Sequence, residues 1–170
     1  MKISPLNRKI HDRTSFDCGD KTLNNYLKAI SNQHHEKDLA RTFVLTSEIE
    51  PTKIKGFYSL ALCTIDLDEL PQEIGKKYPK ELYCVLIGRL AISQQYQRQG
   101  LGSILLVDAV RKAINSSGNI PIPMIIVDAK HDIAKSMYQG LGFSSFSQNE
   151  YRLFMTMANA KAVISLVDNE

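Results

Sequence analysis

Apolar and polar residues follow two different periodicities along the first third of this chain, and the changes of period mark the predicted elements. Asp20 is a candidate N-cap for a helix over residues 21–35, whose leucines recur at helical spacing. Residues 42–47 and 54–67 are apolar and aromatic runs separated by a polar turn. This pattern predicts a helix followed by a two-stranded hairpin.

Strand and helix patterns alternate in the rest of the chain. The nearly continuous apolar run 82–92 predicts a central strand that is buried on both faces. The further predicted elements are helix 102–117, strand 124–129, helix 132–141 ended by Gly142, strand 151–157 and helix 158–165. This order predicts an α/β chain, in the sense of an α+β mixed sheet flanked by helices.

Length and composition narrow the class of protein. The 170 residues fit one domain, 1–170, with 44% hydrophobic and 23% charged residues, an ordinary balance for a soluble globular protein. We find no secretory signal and no apolar run of membrane-spanning length. The three cysteines lie far apart without a CxxC pair, so we expect neither a disulfide framework nor a metal site, and a cytoplasmic location.

The segment over residues 82–117 carries the clearest candidate chemistry, because a strand, a polar loop, a glycine pair and a helix follow one another. Helix N-termini present unpaired N–H groups and partial positive charge, and Gly100 and Gly102 bring no Cβ atom near a ligand. A pyrophosphate could therefore bind the amides of residues 98–103. The P-loop and dinucleotide-binding glycine patterns are missing, which disfavours ATP, GTP and NAD. The glycine pair alone is also compatible with a simple turn.

Two motifs resemble those of the GNAT acetyltransferases. Gln97, Gly100 and Gly102 match the family's pattern of Arg or Gln, two residues, Gly, one residue, then Gly or Ala. Residues 138–143 (YQGLGF) resemble its Tyr-x-x-x-Gly-Phe element. The resemblance covers residues 82–157 and implies the GNAT fold with splayed central strands and acetyl-CoA as co-substrate. The cofactor-binding residues that it implies are Leu90, Ala91, Ile92, Gln97, Arg98, Gln99, Gly100, Leu101, Gly102 and Ser103.

The same resemblance places Tyr138 beside the cofactor thiol, where its phenol would protonate the leaving thiolate as a catalytic residue. We find no convincing general base, because the four histidines lie outside the matched strands and the carboxylates cannot be ranked from the sequence. A free α-amino group has a pKa of about 7.7–8.0, against about 10.4 for lysine, and the ester of an aminoacyl group lowers the pKa of the α-amine further. Such an acceptor is largely neutral near pH 7 and needs less help than lysine.

Short segments of the N-terminal half narrow the resemblance to the GNAT toxins of bacterial toxin–antitoxin pairs. These segments are residues 16–19, 23–27, 40–44, 56–60 and 88–91. The resemblance implies acetylation of the α-amine of aminoacyl-tRNA, a block of translation and a ribbon-helix-helix antitoxin as partner, and it is compatible with a homodimer.

A tRNA acceptor requires cationic contacts to phosphate. The net charge of +3 does not by itself indicate nucleic acid. Arg41 and Arg89 lie in the matched segments, and Lys76, Lys77 and Lys80 precede the central strand, so these five residues are the candidate tRNA-binding set. Each alone is also compatible with solvated surface.

Two other functions stay open at this stage. A GNAT enzyme for a small amine or a protein N-terminus would show a compact acidic acceptor pocket, whereas tRNA requires a broad basic surface. A non-catalytic module that binds acetyl-CoA or a partner is the second alternative, against which the intact Gly100, Gly102 and Tyr138 argue.

Overall fold

The computed structural model describes residues 1–169, which contain one seven-stranded sheet in the spatial order β1-β2-β3-β4-β5-β7-β6. The strands are β1 (Lys2–Pro5), β2 (Arg41–Thr46), β3 (Gly56–Asp66), β4 (Glu81–Ile92), β5 (Met124–Asp128), β6 (Ser144–Ser145) and β7 (Arg152–Thr156). The helices are α1 (Lys21–Asn25), α2 (Ser31–Glu36), α3 (Gln72–Gly75), α4 (Leu101–Ser116), α5 (Asp132–Leu141) and α6 (Met157–Asp168). A π-helical turn (Tyr26–Ile30) joins α1 to α2, and 3-10 turns cover Leu67–Glu69 and Gln94–Tyr96.

The sheet is mixed, as predicted. β4 and β5 run parallel, pairing Val85 with Ile125, Leu86 with Ile126 and Ile87 with Val127. The pairs β1–β2, β2–β3, β5–β7 and β6–β7 are antiparallel. Parallel neighbours need a crossover connection, and α4 lies in the chain between β4 and β5.

The chain forms two compact units, each built from two segments. The first unit contains Met1–Ala61 and Gly88–Ala109, and the second contains Leu62–Ile87 and the chain from Val110 onward. The core of the first unit is Phe16, Tyr26, Leu27, Val44, Ile54, Phe57 and Ala91. The core of the second is Ile65, Leu70, Leu82, Cys84, Met124, Ile126, Phe146 and Phe154.

The predicted helices and strands are confirmed with boundary shifts of a few residues. Asp20 caps α1 by accepting hydrogen bonds from the N–H groups of Thr22 and Leu23, at 2.8 and 3.1 Å. Gly142 ends α5 with a φ of +111°, a conformation that glycine adopts without the penalty of a Cβ atom. The strands β1 and β6 were not predicted, since runs of four and two residues are too short to show a period.

One prediction about β4 is wrong. The strand is not buried on both faces throughout, because Tyr83 is 62% exposed. A continuous apolar run does not reveal exposure at its first residues, where an amphipathic tyrosine tolerates water on one side. Among residues 1–169, no helix is both long and apolar enough to span a membrane.

Candidate active site

The loop between β4 and α4 has a backbone suited to a close anionic ligand. Arg98 and Gly100 both adopt positive φ angles, +60° and +77°, and the loop is exposed from Gln97 to Gly100. A Cβ atom built on Gly100 would meet no heavy atom within 4 Å, so the glycine is required by its backbone conformation and has open space beside it. Left-handed residues in a loop can turn backbone N–H groups toward one concavity.

Gln97 holds this loop in place. Its side-chain Nε2 donates to the backbone oxygens of Ile92, at 2.9 Å, and Cys18, at 3.0 Å. The amide of Gln97 therefore joins the end of β4 to the segment that precedes α1. In this structure Gln97 shapes the candidate cradle by fixing its backbone.

Buried leucines anchor the start of α4. Leu101 and Leu105 are buried, whereas Ser103 is exposed, so the first turn presents its N–H groups on an accessible side. Further along the helix, the Tyr58 hydroxyl donates to Asp108 Oδ2 at 2.5 Å and ties α4 to β3. Burial, together with this contact, raises the pKa of Tyr58 well above its usual value.

The end of β4 lies close to β3 because Gly56 has no side chain. A Cβ atom on Gly56 would stand 2.6 Å from Ile92 Cδ1 and 2.9 Å from the Ala91 oxygen, which is too close for any other residue. Ala91 is buried, while Leu90 and Ile92 are partly exposed. The three proposed pantetheine-binding residues thus belong to a strand end whose position depends on Gly56.

Tyr138 lies on α5 in the second unit and is 5% exposed. Its ring packs against Phe143 with centroids 6.1 Å apart. Burial and, to a smaller degree, the charge of Asp128 raise the pKa of Tyr138 to about 12. The phenol is therefore protonated at neutral pH, as a proton donor must be.

A charged group that the sequence did not single out ends β5. Asp128 is paired across the antiparallel ladder with Arg152, whose Nε lies 3.7 Å from Asp128 Oδ1. The Nη1 atom of Arg152 lies 3.9 Å from Glu69 Oε2. The only signal in the sequence is a carboxylate that ends an otherwise apolar strand, and such residues are common.

Two of the candidate tRNA-binding residues, Arg41 and Arg89, lie in the first unit. The Arg89 guanidinium stacks 3.8 Å from the centroid of the Tyr26 ring, and the Tyr26 hydroxyl hydrogen-bonds Thr42 Oγ1 at 3.1 Å. Arg41, next to Thr42, forms an exposed ion pair with Asp38. The other three candidates, Lys76, Lys77 and Lys80, are exposed in the second unit.

The described part of the chain holds no cluster of three or more His, Cys, Asp or Glu residues that is arranged to bind a metal ion.

Comparison with known proteins gives consistent matches along the chain. Residues 62–153 match the family described as FR47-like protein. The tRNA-acetylating toxin of Mycobacterium tuberculosis (strain ATCC 25618 / H37Rv) is 30% identical over 153 residues, which cover 90% of this chain and 90% of that protein.

Solved structures agree with these matches. AtaT complexed with acetyl-methionyl-tRNAfMet superposes with a TM-score of 0.86 at 28% identity, over 95% of this chain and 98% of that one. A mutant AtaT toxin bound to the C-terminus of the antitoxin AtaR and to acetyl-CoA gives a TM-score of 0.80 at 25% identity, over 99% and 98%. The family match includes both the glycine loop and the helix that carries Tyr138.

Proposed function

This chain belongs to the FR47-like family of GNAT N-acetyltransferases, and on that premise we propose that it acetylates the α-amino group of aminoacyl-tRNA with acetyl-CoA and so blocks translation. The similarity to a tRNA-acetylating toxin carries this proposal. It extends over the N-terminal half of the chain, beyond the segment that holds the cofactor motif.

The residues of the glycine loop fit the pyrophosphate of acetyl-CoA. The open space beside Gly100 and the accessible first turn of α4 admit an anion close to backbone N–H groups. Arg98 is exposed in the same loop and adds positive charge. In this proposal, residues 98–103 bind the pyrophosphate and residues 90–92 bind the pantetheine through their backbone.

Acetyl transfer requires a neutral amine, stabilisation of the oxyanion and a proton for the leaving thiolate. We assign the last role to Tyr138, whose pKa of about 12 keeps it protonated at the pH of a cell. Backbone N–H groups of residues 90–92 are the candidate donors to the thioester oxygen.

Binding of the tRNA is assigned to Arg41 and Arg89 in the first unit and to Lys76, Lys77 and Lys80 in the second. Arg89 is held by its stacking on Tyr26, so its guanidinium loses little freedom on meeting a phosphate. Such contacts release counterions, and the affinity for tRNA should therefore fall steeply with salt.

The proposal includes a protein partner and a compartment. The toxin relative AtaT is bound to its antitoxin, and we expect a ribbon-helix-helix antitoxin for this chain, a cytoplasmic location and, as a further expectation, a homodimer. Co-expression with a neighbouring small DNA-binding protein should restore growth, and sedimentation of the purified chain should measure the subunit number.

Labelled acetyl-CoA with a mixture of charged tRNAs tests the proposed function. The expected product is N-acetyl-aminoacyl-tRNA, identified after release of the amino acid, with no label on uncharged tRNA. A salt-independent reaction on small primary amines, with charged tRNA left unmodified, would favour the small-amine enzyme. Binding of acetyl-CoA without turnover on any amine would favour the non-catalytic module.

A further inference from the structure

The buried apolar strand β5 ends in a carboxylate, which the packing of the second unit does not require. Residues 124–127 are fully buried and apolar, and the next residue, Asp128, is a carboxylate whose side chain is 53% exposed. Asp128 directly follows Val127, which is paired with Ile87 in the parallel ladder. An external group can therefore reach Asp128 at the end of the strand.

The surroundings of Asp128 combine apolar side chains with one cation. Strand alternation places it on the face of Ile126, which belongs to the apolar core of the second unit. Charged or titratable groups face it from the other elements: Arg152 on β7, Glu69 in the 3-10 turn and, within electrostatic range, Cys63 on β3 and Tyr138 on α5. Burial raises the pKa of the Asp128 carboxyl, which Arg152 partly opposes and Glu69 reinforces. A carboxylate with a raised pKa is a stronger base.

In the described part of the chain, the guanidinium of Arg152, beside Asp128, has a donor without a hydrogen-bond acceptor. The Nε atom of Arg152 is buried and makes no hydrogen bond within residues 1–169, although Asp128 Oδ1 lies 3.7 Å away. That distance exceeds a hydrogen bond, and an unsatisfied buried donor is costly. The guanidinium therefore favours the charged carboxylate without covering it, and the oxygens of Asp128 remain available to an external donor.

We propose that Asp128 is the catalytic base of this chain: its carboxylate binds the α-ammonium group of the acceptor and takes one proton from it. This inference rests on the proposed function and supplies the base that sequence reasoning did not identify. Aminoacyl-tRNA is the substrate class, and the ammonium group is the part of it that Asp128 recognises.

The proton balance of the step is complete. One ammonium proton moves to Asp128 and then to water, and the neutral nitrogen forms a bond to the thioester carbon. The carbon–sulfur bond breaks, its electron pair stays on sulfur, and the thiolate takes the proton of the Tyr138 phenol. The phenolate recovers the second proton from the nitrogen. The products are the amide and the free thiol, with one proton released.

Asp128→Asn tests this role because it keeps the shape of the side chain and removes its charge and basicity. Turnover of an aminoacyl-tRNA should fall about 10²–10⁴-fold at a pH below the pKa of the amine, the range for one positioned base. The deficit should shrink as the pH rises above that pKa, because the acceptor then arrives neutral. The affinity for acetyl-CoA should not change.

The matched control is Glu150→Gln. Glu150 is an exposed carboxylate of the same unit, paired with Lys135 on the surface, and its removal should leave turnover unchanged at every pH. Asp128→Glu keeps a carboxylate and should retain the wild-type pH profile at reduced kcat. This variant tests the role of the carboxylate even if Asp128→Asn does not fold.

Two results would overturn the proposal: turnover of Asp128→Asn within about twofold of the wild type at all pH values, or a deficit of the same size at every pH, as expected from a purely structural role. If the wild type acetylates no aminoacyl-tRNA, the proposed function fails instead. The same variants, assayed on the amine that the wild type does acetylate, then decide the role of Asp128.

Discussion

The glycine loop over residues 97–102 and the charged end of β5, the two regions to which we assign a polar ligand, are built in different ways. The loop uses backbone groups, and its main support, Gln97, bonds a carbonyl only five residues away. The end of β5 uses side chains: Asp128 lies beside Arg152 from another strand, and Arg152 in turn lies beside Glu69 from a distant turn. Local sequence therefore specifies most of the first region, to which the tertiary structure adds the hydrogen bond from Gln97 to the Cys18 carbonyl, whereas only the sheet pairing creates the second.

This difference has consequences for tolerance to substitution. A backbone site fails when an added side chain occupies the space of the ligand, whatever the chemistry of that side chain. In a site made of side chains, activity falls in proportion to the charge or basicity that a substitution removes. A change of pH can restore part of that activity. The following experiments separate the two kinds of behaviour.

The largest effect is expected in the loop. Gly102→Glu or Gly100→Asp places a carboxylate where the pyrophosphate should bind, and Gly100→Asp also strains a backbone at φ +77° by about 1–3 kcal/mol. We expect acetyl-CoA binding to fall below detection by calorimetry, with the fold retained in circular dichroism. Unchanged affinity in a folded variant would remove this loop from the cofactor site.

Tyr138→Phe should produce the next largest loss. The ring and its packing on Phe143 remain, so stability and acetyl-CoA affinity should be nearly unchanged, whereas kcat should fall about 10²–10⁴-fold. Because the pKa of Tyr138 is about 12, the wild type should show no loss of this acid between pH 6 and pH 9, roughly. The measurement is steady-state turnover as a function of pH.

A purely structural Tyr138 predicts a different pattern. Tyr138→Phe would then be silent in kcat, and Tyr138→Ala would lower the free energy of unfolding by about 3–5 kcal/mol, as for other large aromatic truncations. Near-wild-type kcat for Tyr138→Phe would end its assignment as the acid. If the chain is a toxin, the same substitution should also relieve growth arrest.

Charge reversal at Arg89 or Arg41 should have a smaller and salt-dependent effect. Each change should weaken tRNA binding about tenfold at low salt and lower the slope of log affinity against log salt by about 0.7–0.9. Acetyl-CoA affinity should be unaffected. Lys161→Glu, an exposed residue of α6, is the matched control. Equal losses in the control would mean that only net charge matters.

The smallest effect is expected from loss of the hydrogen bond that joins β3 to α4. Tyr58→Phe removes the hydrogen bond to Asp108 and should lower the free energy of unfolding by about 1–3 kcal/mol, measured by denaturant titration. Acetyl-CoA affinity should fall only slightly, because Leu101 and Leu105 still anchor α4. A large loss of affinity would instead make this hydrogen bond part of what holds the loop.

Much of the fold was predictable from local patterns. The N-cap at Asp20, the glycine that ends α5 and the apolar strands before and after α4 are each encoded within a few residues. The edge strands β1 and β6 were missed, and so was the exposure of Tyr83. These features depend on which strand lies beside them, and a single stretch of sequence carries no record of that neighbour.

The sequence by itself determined the loop, the helix that carries Tyr138 and the GNAT family, because backbone conformation and helix ends depend on residues a few positions apart. Only the tertiary structure showed that Gln97 also donates a hydrogen bond to the Cys18 carbonyl and that Arg89 stacks on Tyr26. It alone also brought Arg152 beside Asp128. Such contacts join residues far apart in the chain, and the free energy of packing and charge pairing that selects them exists only once the sheet has formed.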